Sequence, residues 1–333
     1  MCSTQEDTIF LDSPFVYSLL LHIMTALSTP VHILGLYIIL FRTPKSMGSV
    51  KWYLFNLQIW IVLFDISVGF FTIPVLLLPR FAMFPMGILK VLGVPSFIQT
   101  FSVFALLGFM MISIIAIFKN RFFAVCSFRW KKFCVKWKRT WIMLHYFGVI
   151  VALIIFGFMS PNQEMAKQRL LEALPCLPAY IRTSPIFIAC EDYTYQLLLM
   201  VFFTTLACLE VLFFAISIGW HSIQQLRTKQ ISSKTFKMQR NFFFAVLIQI
   251  GVPMVLLLFP FGYQWMAVVC NYYNQAYNNL SMITEAMHGL VSTIVTLLVH
   301  RPYNWEDNWV GKNHVFVKNG YRYVCEYSRM VNC

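Results

Sequence analysis

The chain has 333 residues, of which 59% are hydrophobic and 12% charged, about half the ~25% charge typical of a soluble domain. Such a chain could not cover itself with polar surface in water, so the composition calls for lipid, where an apolar exterior is required. The net charge of +13 could point to nucleic acid, but the Lys and Arg residues fall between long apolar runs rather than along one soluble face, which excludes that class.

Residues 1–14 carry Glu6, Asp7 and Asp12 and no Lys or Arg, so they do not read as a secretory leader and are expected to be an extracellular N-terminus. A helix needs roughly 20 apolar residues to cross ~30 Å of hydrocarbon. Seven stretches qualify: Phe15 to Phe41, Trp52 to Leu78, Phe97 to Phe118, Trp141 to Met159, Tyr193 to Trp220, Asn241 to Phe261, and Asn279 to His300. The expected fold is therefore an all-α seven-helix membrane bundle over residues 15–300, followed by a tail of 301–333. Between the spans, Lys and Arg divide unevenly. The first, third and fifth loops and the tail hold 21, eight of them from Lys119 to Arg139; the second, fourth and sixth loops and the N-terminus hold five. The positive-inside rule then places the N-terminus outside and the C-terminus in the cytosol.

On that topology Cys2, Cys176, Cys190 and Cys270 lie outside, where disulfides are permitted, and three connectivities remain open. Asn279-Leu280-Ser281 is the outer glycosylation triplet, but it abuts a span and is expected to be unused. Val315 to Tyr323, around Asn319-Gly320, reads weakly as a hairpin in the tail.

Ionisable residues within a span are costly and usually face the bundle interior. Asp65, Glu210, Glu285 and His288 are the main ones; His22, His32 and His145 are scattered singly and read as structural. In the seventh span Glu285, His288, Ser292 and Thr296 step by three, four and four residues, which puts them on one helix face. That stripe reads either as a carboxylate and an imidazole satisfying each other or as part of a ligand site. Pro253 frees the carbonyl of Gln249 in the sixth span, which makes a hinge or a static bend. The chain has no His-Glu-x-x-His, Walker or Gly-x-Ser-x-Gly motif, so neither an enzyme nor a cofactor is expected. A transporter or ligand-gated channel subunit is the alternative, favoured by Asp65, Glu210 and Glu285.

Several pieces carry a more specific signal. Lys51-Trp52-Tyr53-Leu54 opens the second span. Leu174-Pro175-Cys176-Leu177-Pro178 follows the fourth. Met238-Gln239-Arg240 enters the sixth, ahead of Gln249, Pro253 and Pro260. His288-Gly289-Leu290-Val291-Ser292-Thr293 and His300-Arg301-Pro302-Tyr303 close the seventh. In this order and spacing they resemble the nematode serpentine receptors of class H, a chemoreceptor family on the G-protein-coupled receptor plan, over about residues 14–303. The resemblance implies a plasma-membrane receptor, placed in chemosensory cilia, that binds a small extracellular molecule and signals to a heterotrimeric G protein. Lys119-Asn120-Arg121-Phe122 stands where rhodopsin-like receptors have Asp-Arg-Tyr, and the Asn-Pro-x-x-Tyr motif is missing.

Two sites are expected on this basis. Gln99, Phe101, Gln196, Glu285 and His288 are the candidate ligand contacts, with Glu285 ~9 Å below Asn279 at 1.5 Å per residue. Arg121, Gln249 and Pro253 are the candidate signalling residues.

Overall fold

A chain that must leave no backbone N–H or C=O unpaired in lipid closes its apolar runs into helices. A computed structural model of the protein describes residues 10–43, 48–126, 129, 131–173, 177, 179–228 and 232–310. The elements in chain order begin with α1 (Pro14–Tyr37), which continues as a π-helical turn over Ile38–Arg42, and α2 (Gly48–Ile66), which continues likewise over Ser67–Thr72. Strands β1 (Pro74–Leu76) and β2 (Phe81–Pro85), the short α3 (Ile88–Val91) and the long α4 (Ser96–Val125) come next. They are followed by α5 (Lys131–Lys136), α6 (Lys138–Phe158), α7 (Gln163–Ala173), α8 (Ala179–Arg182) and β3 (Phe187–Cys190). Three long helices complete the chain: α9 (Thr194–Arg227), α10 (Ser233–Val269) and α11 (Gln275–Val310). Among the described residues seven helices are long and apolar enough to cross a membrane, namely α1, α2, α4, α6, α9, α10 and α11. The protein is a seven-helix multi-pass membrane bundle.

The second helix is shorter than its apolar run. It was expected to reach Leu78 but ends at Thr72, where Ile73 takes a left-handed conformation with φ 44° and Pro74 starts a strand. Proline disfavours a helical residue before it and cannot donate to the helix ladder. The residues beyond it pair instead: β1 and β3 flank β2 in an antiparallel three-stranded sheet, with Leu76 opposite Met83 and Met83 opposite Phe187. The loops that follow the second and the fourth spans, at one end of the bundle, are thereby joined into a cap. Tyr17 of α1 donates a 2.6 Å hydrogen bond to the Pro74 carbonyl. Gln163 of α7 pins β3, accepting from the Ile188 N–H at 2.9 Å and donating to its carbonyl at 3.0 Å.

Below the cap the helices pack through residues at three- and four-residue spacing. Val50, Leu54, Leu57, Ile61, Phe64 and Val68 are buried along α2, and Met110, Ile114, Ile117 and Phe118 along α4. One cluster lies under the sheet, around Tyr17, Leu21, Phe64, Phe84, Ile181 and Met282. A second lies toward the opposite end, around Ile39, Leu54, Ile114, Phe118, Phe214 and Leu257. Gly35 of α1 allows a close approach to α11: a Cβ there would sit 2.6 Å from Thr293 Cγ2. The helix α11 runs past the end of its span to Val310. The hairpin expected over 315–323 and the Leu-Pro-Cys-Leu-Pro segment, apart from Leu177, lie outside the described residues.

Candidate ligand and signalling sites

The charged residues of the spans do not stand alone. Asp65, buried at the middle of the bundle, accepts a 3.0 Å hydrogen bond at Oδ2 from His32 Nε2. His32 Nδ1 lies 2.8 Å from Thr293 Oγ1, and Gln58 donates to that same hydroxyl at 2.8 Å. On the other side, His288 Nδ1 stands 3.7 Å from Asp65 Oδ1. Helices α1, α2 and α11 thus meet on one buried carboxylate, which is how lipid-embedded charge is tolerated. His32 was read from sequence as an isolated structural histidine; it is the hydrogen-bonding partner of Asp65. Gly289 is the other half of this fit, because a Cβ at that position would collide with the Asp65 carboxyl group.

Glu285 and His288 do not satisfy each other side chain to side chain. The His288 Nδ1–H donates to the Glu285 main-chain carbonyl at 2.6 Å, while Nε2 sits 3.3 Å from Met110 Sδ and the ring stacks edge-on against Phe64. The Glu285 carboxylate instead accepts a 2.6 Å hydrogen bond from Gln264 of α10. Farther down the same face of α11, Gln249 Nε2 donates to Thr296 Oγ1 at 2.9 Å. All four residues of the expected stripe, Glu285, His288, Ser292 and Thr296, are buried. Toward the sheet, Tyr263 donates to Asn278, and Asn279 donates to the Leu11 carbonyl at 2.8 Å. Asn279 is therefore enclosed, which closes the glycosylation triplet in the folded protein.

The remaining candidates separate. Gln99 on α4 and Gln196 on α9 are both buried, and the Oε1 of each lacks a hydrogen-bond partner. Gln99 Nε2 is committed to the Val94 carbonyl at 2.8 Å, which orients its amide. Phe101, two residues on and so ~200° around the helix, joins Phe97, Phe156 and Phe187 in an aromatic cluster at the α4–α6 seam. At the opposite end of α4, Arg121 lies four residues before the last residue of the helix, Val125. Beside it Lys119 Nζ sits 3.3 Å over the Trp141 ring, and Lys138 donates to Asn120 at 2.6 Å. Pro253 is buried within an α10 that stays helical through it. Nearby, His145 lies 3.5 Å from Glu210, linking α6 to α9.

Among the described residues no three His, Cys, Asp or Glu side chains are placed to hold a metal ion. Cys190 and Cys270 are free thiols. Burial in β3, with Asp192 nearby, pushes the Cys190 thiol up to about 12. Cys2 and Cys176 lie outside the described residues.

The model of the family described as "Serpentine type 7TM GPCR chemoreceptor Srh" matches residues 12–305 of this chain. Serpentine receptor class H-72 of Caenorhabditis elegans is 27% identical over 279 residues, covering 83% of this chain and 80% of the relative. With seven apolar helices, a match over nearly the whole bundle and a relative of the same class, this chain belongs to the Srh family of serpentine seven-transmembrane chemoreceptors.

Proposed function

We infer that the protein is a chemosensory receptor of the plasma membrane that binds a small extracellular molecule near the sheet-capped end and signals to a heterotrimeric G protein at the other. The observation that carries the ligand site is the pair of buried amide oxygens, Gln99 Oε1 and Gln196 Oε1, without protein partners. An unpaired buried acceptor costs about 1–3 kcal/mol. Such a cost is offset when a bound molecule donates to it. Glu285 and His288 supply further polar contacts below them, so the ligand is a small, mostly apolar molecule with at least one hydrogen-bond donor. A ligand panel on cells expressing the chain with a promiscuous G protein tests this. Gln99→Leu and His288→Ala are each expected to raise the half-maximal concentration roughly 10-fold, the equivalent of ~1.4 kcal/mol. Unchanged potency at equal surface level for both would remove them from the site.

The orientation follows from the 21-to-5 division of Lys and Arg. On intact cells an impermeant maleimide should label Cys270, which is exposed, and spare Cys190, which is buried and holds its proton more tightly than a free thiol. Peptide-by-peptide mass spectrometry reads both. An epitope inserted within residues 129–139 should be silent until cells are permeabilised; surface staining there would reverse the topology.

The sixth span is the moving element in this reading. Pro253 removes one backbone hydrogen bond from α10 just beyond the Gln249–Thr296 contact with α11. Pro253→Ala should shift the dose response while leaving surface level intact, and a superimposable curve would make the proline a static bend.

A further inference from the structure

A groove of about 920 Å³ follows the seam between α4 and α6, ending at the sheet. It exists because α6 is scarcely packed: among its residues only Phe156 is buried, and Gly157 leaves open the space that a larger side chain would occupy against Phe101. Its size is at the upper end of the ~300–1,000 Å³ usual for small-molecule pockets. The walls are Phe101, Ile154, Gly157 and Phe187, and Ile154 and Phe158 at the rim are exposed on the apolar belt of a span. The mouth therefore opens to bilayer, and an occupant arrives by partitioning rather than from water.

The polar end of the groove defines what fits it. Among the described residues no charged side chain lines it. Of its polar side chains, Ser96 donates to the Pro185 carbonyl at 2.7 Å and Ser102 to Ile98 at 2.8 Å, while Gln163 is held by Pro161 and Ile188. The Ser160 hydroxyl, just past the end of α6, is buried there and has no partner. A neutral wall with one unsatisfied hydroxyl at the membrane boundary selects against carboxylate, phosphate and ammonium heads, which would lose hydration without compensation. It suits a hydroxyl head, which both donates and accepts, above an extended apolar chain.

We propose that the α4–α6 groove, a site separate from the polar interior, binds a neutral single-chain amphiphile with a hydroxyl head, taken laterally from the bilayer, with the head on Ser160 and the chain against Phe101, Ile154 and Gly157.

The test uses the full-length protein in phosphatidylcholine nanodiscs with a hexadecanol probe carrying a diazirine in its chain, and maps photocrosslinks by mass spectrometry. Crosslinks should concentrate on the peptides holding Phe101 and Ile154 to Ser160, and unlabelled hexadecanol should displace them. Ser160→Ala should weaken that competition roughly 5-fold, the loss of one hydrogen bond. The matching palmitate probe should label these peptides less than the alcohol. Gly157→Trp should fill the groove and abolish the signal; Ser160→Ala, which deletes one oxygen, provides the test if the larger substitution fails to fold. Crosslinks as dense on Phe202, Leu209 and Ile216 of α9 and undiminished by hexadecanol would mean annular lipid only and would overturn the proposal. Equal competition in Ser160→Ala, or equal labelling by palmitate, would also overturn it.

Discussion

Gly289→Ala is expected to remove the receptor from the cell surface. The added methyl points into the carboxyl group of Asp65, and that group has nowhere to retreat. His32 holds its Oδ2 at 3.0 Å, His288 stands 3.7 Å from its Oδ1, and Phe64 and Val68 are buried on the same helix to either side. Either α11 moves away from α2, which opens the packing, or the carboxylate swings out of its histidine pair. Leaving buried hydrogen-bonding groups such as these unsatisfied costs about 1–3 kcal/mol each. Together these are a large share of the ~5–15 kcal/mol by which a folded protein is stable. Asp65→Ala alone should also be damaging, because it strands His32. The two changes together should be less harmful than their sum, since the alanine at 65 vacates the space that the methyl needs. Surface level by an N-terminal tag and melting in detergent measure all three variants. Wild-type expression and melting of Gly289→Ala would show that the interior yields at this point and that the fit is not a constraint.

The second large effect is expected at the opposite end. Arg121→Gln should leave the receptor at the surface and lower signalling roughly 10–100-fold, the range for losing one charged hydrogen bond of ~1.5–3 kcal/mol. Surface level should hold because other contacts fix this end of α4. Lys119 lies over Trp141, Lys138 bonds to Asn120, and Gln225 of α9 donates to the Val125 carbonyl at 2.8 Å. The many remaining basic residues of the loop keep the orientation. On the proposed coupling to a G protein, the signal should fail because a guanidinium would present planar, forked donors to the carbonyls at the end of a G-protein helix, and neither an amide nor a point charge reproduces them. Arg121→Lys should accordingly rescue only part of the response. Normal signalling by Arg121→Gln at normal surface level would reduce the residue to a membrane-boundary charge.

Hydropathy made the seven spans legible, because lipid imposes length and apolarity on each helix independently of its neighbours. It did not reveal the cap. Pro74–Leu76 is as apolar as the helix before it, and Phe187–Cys190 is short, so neither run distinguishes strand from helix. The first becomes a strand by pairing with β2 across a short turn, and the second by pairing with β2 more than a hundred residues earlier. The same limit applies to the polar interior. Asp65, Glu285 and His288 stood out because charge in a span is rare, whereas their partners depend on how each helix is rotated about its axis. His32 therefore reads from the sequence only as a lone structural histidine and Gln264 gives no signal at all, although they make the hydrogen bonds to Asp65 and Glu285. Rotation also explains why Gln99 and Phe101 part company: two residues apart in sequence, they face the interior and the α4–α6 groove respectively.

The fifth span shows the reverse situation. Across the 34 residues of α9 only Gln196, Phe214 and Ile218 are buried, and much of its remaining surface faces hydrocarbon. Hydrocarbon does not discriminate between leucine, phenylalanine and valine as a packed neighbour does. Most positions on this helix are thus free to drift through the apolar alphabet without consequence for the bundle, while α11, enclosed on most sides, is not. Divergence between related receptors should accumulate along α9 and spare α11, a division of labour set by what surrounds each helix rather than by its distance from a ligand.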